Sequence, residues 1–163
     1  MVYWHKHDYK TIEDLILRVR ASSSVPYLMP ETKIDEEIYV DGGLGSGIPL
    51  DIAMEDGYER FVVVLTRERG FRLEPFPQNR LVNLMLDRHQ VEKEALLSRH
   101  VGYNATLDKI EQLERDGRAF VFYPEDLDLT MIDRDREKLL SQYVKGHEQA
   151  TQGLPRLREF LGL

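Results

Sequence analysis

Ile38-Tyr39-Val40-Asp41-Gly42-Gly43-Leu44-Gly45-Ser46-Gly47-Ile48-Pro49-Leu50 joins a short apolar run to a helix-forming one through a glycine-rich turn. Ile38 to Val40 reads as the end of a strand, and Asp41 stands where the strand stops. Two glycines then turn the backbone sharply. That arrangement presents a carboxylate at the rim of a sheet with little bulk behind it. On those three residues alone an ordinary Asp-Gly turn is the simpler reading. Pro49 suits the first turn of a helix. Leu50, Ala53 and Met54 supply that helix's apolar side, and Gly57 stops it.

Working outward, Phe61-Val62-Val63-Val64-Leu65 is continuously apolar and β-branched, the pattern of a strand buried on both faces in a helix-covered parallel sheet. Ala119-Phe120-Val121-Phe122-Tyr123 reads as a second buried strand, stopped by Pro124. Upstream, residues 2–6 read as a short strand. Ile12, Leu15, Ile16 and Val19 then follow the spacing of one buried helix face, opened by a capping pair of Thr11 and Asp14. Ser22 to Pro30 cannot continue a helix. Lys33 to Val40 reads as a hairpin turning at Asp35-Glu36-Glu37.

From Arg80 the pattern becomes helical. Leu81 to Leu86 form one apolar helix. Gln90 to Arg115 form a longer one, with Val91, Ala95, Leu96, Leu107, Ile110 and Leu113 in the core and Gly117 at its end. Glu125 to Asp133 is an acidic, solvated loop. Arg136 to His147 is helical, and a separate short helix carries Leu154, Leu157, Phe160 and Leu161. Alternating helices and apolar strands indicate an α/β layered fold. Residues 1–79 are expected to form part of a sheet domain, and residues 80–163 a mostly helical extension with one further strand.

The chain has 163 residues, a formal net charge of −7, 42% hydrophobic and 31% charged residues, and no cysteine. It is long enough for a real core. The negative balance without a basic run argues against nucleic acid as a partner, and against simple electrostatic attraction to anionic membranes. The lack of cysteine excludes disulfides and thiolate zinc sites, and fits a cytoplasmic location. No apolar run approaches the roughly 20 residues of a membrane-spanning helix.

Several motifs invite other chemistry. Ser46 is not a G-x-S-x-G nucleophile, because Leu44 and Ile48 stand where the flanking glycines belong. The loop is not a dinucleotide fingerprint either, since Ile48 replaces the third glycine. Gly43, Gly45 and Gly47 could offer N–H groups to an anion, although a tight turn explains them more simply. His5, His7 and Asp8 could bind a divalent metal, but lack a well-placed third ligand of the usual kind; no metal or other cofactor is expected. Ser22, Ser23 and Ser24 have no local base or oxyanion donors, and end a helix more plausibly than they attack a substrate. Arg67 and Arg69 follow a strand end, where anions gather in open α/β sheets; a solvated loop is the simpler account.

Three stretches occur together in order: Arg20-Ala21-Ser22-Ser23-Ser24-Val25-Pro26, then Asp41-Gly42-Gly43, then Ile48-Pro49-Leu50 followed by Val62-Val63-Val64-Leu65-Thr66-Arg67. As a set they resemble the second half of the catalytic domain of bacterial patatin-like phospholipases. The resemblance implies a partial three-layer α/β sandwich with a helical C-terminal extension like that of one bacterial branch. It implies a serine–aspartate dyad in which Asp41, within the motif Asp41-Gly42-Gly43, serves as proton acceptor for a serine that attacks an acyl ester. The substrate would be a lipid or other carboxylic ester, with peripheral membrane contact. The family's glycine-rich oxyanion segment and nucleophile elbow are not in this chain. It is therefore expected to be part of a longer protein, inactive by itself. It is also expected to self-associate as a dimer through a sheet edge or Tyr3-Trp4. The rival readings are a non-catalytic binding or regulatory module linked to lipid metabolism and, further off, a metal-dependent hydrolase built on His5, His7 and Asp8.

Overall fold

The computed structural model describes residues 1–26, 29–45, 47–77, 90–130 and 132–163, the side chains of 90–92 excepted. Among these residues it is a mixed α/β structure with two small sheets and no closed barrel. The chain divides into two compact units. One comprises Met1–Leu50 with Leu73–Thr106, the other Asp51–Arg72 with Leu107–Leu163. The predicted helix at Leu81 to Leu86 lies outside the described residues.

In the first unit, α1 spans Ile12–Ser22. Thr11 Oγ1 accepts the Asp14 N–H at 3.2 Å, and Asp14 Oδ2 accepts the Lys10 N–H at 3.2 Å. Thr11 thus caps the helix as expected, but the return bond of a capping box is replaced by one to the residue before it, the aspartate reaching Lys10 rather than Thr11. At the other end Ser23 and Ser24 fold their hydroxyls onto the carbonyls of Val19 and Arg20. The buried face expected from Ile12, Ile16 and Val19 is not buried. These residues are 63%, 61% and 57% exposed, because α1 packs against β1 with Ala21 fully enclosed and Leu15 and Leu17 half-buried. Residues 2–6 form no strand; His5 and Asp8 close a turn instead. Trp4 holds this segment by its ring, 5.0 Å from that of Tyr39, with the Arg18 guanidinium 5.7 Å away.

The expected hairpin is present. β1 (Thr32–Ile34) pairs antiparallel with β2 (Glu37–Tyr39), with Lys33 opposite Ile38. Asp35 turns the chain at φ 54°, a left-handed conformation that aspartate tolerates better than bulkier residues. Thr32 and Ile34 point inward. A short 3-10 helix, Gly42–Leu44, follows.

Helix α2 spans Leu50–Glu55, with Leu50 buried. Gly57, at φ 87°, ends it with N–H bonds from Gly57 to Met54 O and from Tyr58 to Ala53 O, the 5→2 and 6→1 pattern that a left-handed cap residue permits. The long helix α3, Gln90–Arg115, has the bounds that its sequence predicts, and Gly117 closes it in the same manner.

In the second unit, β3 (Phe61–Val64) and β4 (Ala119–Phe122) pair in parallel, Phe61 opposite Ala119 and Val64 opposite Phe122. Leu107, Ile110 and Leu113 of α3 join Phe61, Leu65 and Ala119 among the buried residues. The expectation that β3 is buried on both faces fails. Val62 is 48% and Val64 70% exposed, because side chains alternate across a strand and only one face is enclosed. The two expected C-terminal helices are one, α4, Arg136–Leu161. Asp135 Oδ1 accepts the N–H groups of Glu137 and Lys138 at its start. Pro155 lies inside the helix and removes one N–H donor without breaking it. Gln149 Nε2 donates to Tyr123 O at 2.7 Å, and the Phe160 ring lies 6.1 Å from Phe120, tying α4 to β4 on both sides of the proline. The acidic loop before α4 is tethered rather than wholly solvated: Lys138 Nζ lies 3.2 Å from Asp128 and 3.3 Å from Asp133.

Candidate functional site

Asp41 stands two residues beyond β2, in the first unit, and is half-buried. Its backbone is fixed by its own N–H, which donates to Ser24 O at 2.9 Å. Ser24 is 1% exposed, and its hydroxyl is shared between Arg20 O and Thr32 Oγ1, each at 2.8 Å. The end of α1, the first residue of β1 and the start of the glycine loop are therefore stitched together by one serine. This fixes the role of the serine run: Ser23 and Ser24 are structural, and their hydroxyls are committed to backbone carbonyls.

The Asp41 side chain caps the 3-10 helix. Oδ1 accepts the Gly43 N–H at 2.5 Å. Among the described residues, Oδ2 has no hydrogen-bond partner and Asp41 has no ion pair. A Cβ on Gly43 would lie 2.7 Å from Asp41 Oδ1, so a side chain there displaces the carboxylate from this cap. On the far side, Arg99 Nε donates to Gly43 O, and the Arg99 guanidinium lies 5.7 Å from the centroid of the Tyr103 ring. Gly47, at φ 74°, faces the same tyrosine; a Cβ there would approach the Tyr103 ring to 3.2 Å. Arg99 and Tyr103 carried no sequence signal. They sit one turn apart on α3, and Arg99 is 56 residues from Gly43.

The anion cradle considered for the glycines is not formed by Gly43 and Gly45. The Gly43 N–H is held by Asp41, and the Gly45 N–H donates to Gly42 O at 3.1 Å. Nor do His5, His7 and Asp8 converge. Asp8 Oδ2 accepts the His5 backbone N–H, and among the described residues no three His, Asp or Glu side chains form a metal-binding group.

Arg67 and Arg69 belong to the second unit and are engaged locally. Arg69 forms a bidentate pair with Glu114, at 2.8 and 2.7 Å, with its guanidinium 3.9 Å from the Tyr123 ring centroid. The Glu114 carboxylate holds the guanidinium above its ordinary pKa. Arg67 lies 5.0 Å from the Phe71 ring centroid. Arg72 bridges Glu111 at 3.0 Å and Asp108 at 2.9 Å, and its hydrogen bond holds the Glu111 carboxyl below its ordinary range. Arg69 and Arg72 clamp the loop after β3 onto α3. No helix among the described residues is long and apolar enough to cross a membrane.

No curated protein and no solved structure matches the chain. The model of a domain of unknown function (DUF6363) matches residues 93–162. The patatin-like phospholipase model matches residues 6–54, a stretch that holds α1, the serine run, the hairpin and Asp41-Gly42-Gly43, and stops short of β3. At the level of the family, that match relates the first third of the chain to patatin-like lipid hydrolases.

Proposed function

We propose that this chain carries the acidic half of a patatin-like serine–aspartate dyad, with Asp41 as the carboxylate. None of its serines stands in a nucleophile elbow, so the serine comes from a polypeptide segment outside this sequence. That segment also supplies the oxyanion donors and completes the layered sandwich. The serine Oγ attacks the carbonyl of a lipid or other carboxylic ester as its proton passes to Asp41. The protonated Asp41 then returns that proton to the leaving alkoxide, and water activated by the same carboxylate releases the acyl group.

The observation that carries this reading is the division of labour between the two oxygens of one side chain. Oδ1 is anchored by the Gly43 N–H, while Oδ2 has no partner among the described residues. A base must be held firmly and still have a free lone pair for the proton it takes. The patatin-like match across this stretch supports the same reading.

The missing elbow favours one rival, a non-catalytic module that binds or regulates a lipid-associated partner. The two readings part in one experiment. The chain alone should not hydrolyse p-nitrophenyl esters above background. Joined to the segment encoded upstream of it, it should, and that segment should contain a glycine-rich stretch and a G-x-S-x-G elbow. An upstream sequence with neither element would decide for the module.

A further inference from the structure

Helix α4 carries a second apolar face that the β4 contacts do not use. Leu140, His147, Leu154 and Leu161 recur every seven residues, and Tyr143, Ala150 and Leu157 follow the first three of them at three-residue steps. This is the a/d spacing of a two-helix seam. Leu140 is 58% exposed, Tyr143 68%, Leu154 44% and Leu161 46%. Of the residues that hold α4 to the rest of its unit, Gln149 lies on a different side of the helix, while Phe160, its ring 6.1 Å from that of Phe120, borders the seam next to the half-buried Leu157. The seam is continuous only because α4 does not break at Pro155, which falls outside the a and d positions.

We infer that this seam is a self-association surface whose occupant is α4 of a second copy of the chain, running antiparallel. The sequence of the helix is complementary to itself in that direction. An antiparallel pair seats each a residue against a d residue. Centred between His147 and Ala150, it sets Leu140 on Leu157, Tyr143 on Leu154 and His147 on Ala150, each large residue against an aliphatic one. The flanking charges agree. Glu137 and Arg158, both exposed and both one position beyond a d residue, meet across the two ends and form two opposite-charge pairs. The other flank brings Gly146 against Gly153. That flank, Leu139, Gly146, Gly153 and Phe160, carries no charge that opposes this register. A parallel pair has none of this: it stacks His147 on His147, and offers Arg158 only Gly153. At 1.5 Å rise per residue the paired layers, Leu140 to Leu157, span about 26 Å, and Leu161 lies beyond them. The interface therefore lies on α4, not at Tyr3-Trp4, where Trp4 already packs on Tyr39 within its own unit.

The chain has no cysteine, so the register can be read directly. Sedimentation velocity of the 163-residue chain should show a concentration-dependent dimer. Under mild oxidation the double variant Tyr143→Cys/Leu154→Cys should form a disulfide-linked dimer, while each single variant should not. Glu137→Arg and Arg158→Glu should each raise the dimer Kd about tenfold. The double reversal should bring it back near the parent value, although it places the wrong charge at both ends of the helix dipole and gives no recovery by helix stability. Circular dichroism checks that each variant remains helical. Two results would overturn the inference. One is a monomer at all concentrations. The other is efficient crosslinking of Tyr143→Cys alone, which is the signature of parallel pairing.

Discussion

Asp41 and Gly43 are joined by a 2.5 Å hydrogen bond from the glycine N–H to Oδ1 of the aspartate. The bond fixes the carboxylate in the loop after β2, in a position that a side chain at residue 43 would crowd. Gly43→Ala would place a Cβ 2.7 Å from that oxygen and force the carboxylate aside. Loss of such a cap costs about 1 kcal/mol, or about 2–4 °C in a chain of this size. Gly42→Ala, with nothing within 4 Å of its Cβ, is the control and should leave the melting temperature near its parent value. Equal effects at the two positions would contradict this account of the loop.

Ile110 and Ile12 occupy similar apolar helical patterns and have opposite surroundings. Ile110 is 0% exposed and Ile12 is 63% exposed. Ile110→Ala should destabilise the chain by about 3 kcal/mol. Ile12→Ala should cost less than about 0.5 kcal/mol. Urea denaturation of the two variants measures both.

This pair shows where the sequence was legible and where it was not. Periodicity identifies an apolar face, and a glycine ends a helix wherever it falls, so α3 could be read with its bounds and its Gly117 stop. The hairpin was legible from the charged turn at Asp35, and the capping pair from Thr11 and Asp14. Periodicity does not say what covers a face. Ile12, Ile16, Val19, Val62 and Val64 read as buried and are exposed. Arg136 to His147 and the segment from Leu154 to Leu161 read as two helices, because the polar stretch between them carries no apolar face; the structure runs them together as one, held by the contacts of Gln149 and Phe160. In the candidate site, Asp41 and its glycines were local in sequence and therefore visible. Arg99 and Tyr103 reach the loop from α3, across a separation that no spacing rule spans.

Arg69 meets Glu114 through two hydrogen bonds while lying over Tyr123. A lysine can make neither the fork nor the stacked contact. Arg69→Lys should therefore cost about 0.5–1 kcal/mol, kept small because the arginine side chain is 61% exposed. Equilibrium unfolding in urea tests this; a variant as stable as its parent would show that the fork contributes nothing.

Glu111 is held below its ordinary pKa by the hydrogen bond from Arg72. Its folded value lies under its unfolded one, so its stabilising contribution is present at neutral pH. That contribution is lost as pH falls through the acid range below the usual glutamate value. Glu111→Gln should lower stability at neutral pH and narrow the gap from the parent as the solution is acidified. Unfolding midpoints across that range measure the slope. A gap that widens toward acid pH would reverse the sign and rule out the assignment.

The most direct test of the dyad separates the two oxygens of residue 41. Asparagine keeps the Oδ1 acceptor that caps Gly43, and is as good a cap as aspartate, but it cannot take a proton from serine. In the chain joined to its elbow-bearing segment, ester hydrolysis and thermal unfolding of Asp41→Asn are measured together. The account predicts a melting temperature close to that of the parent and a rate lower by about 100- to 10,000-fold. A folded Asp41→Asn protein that hydrolyses esters within a few-fold of the parent rate would contradict it.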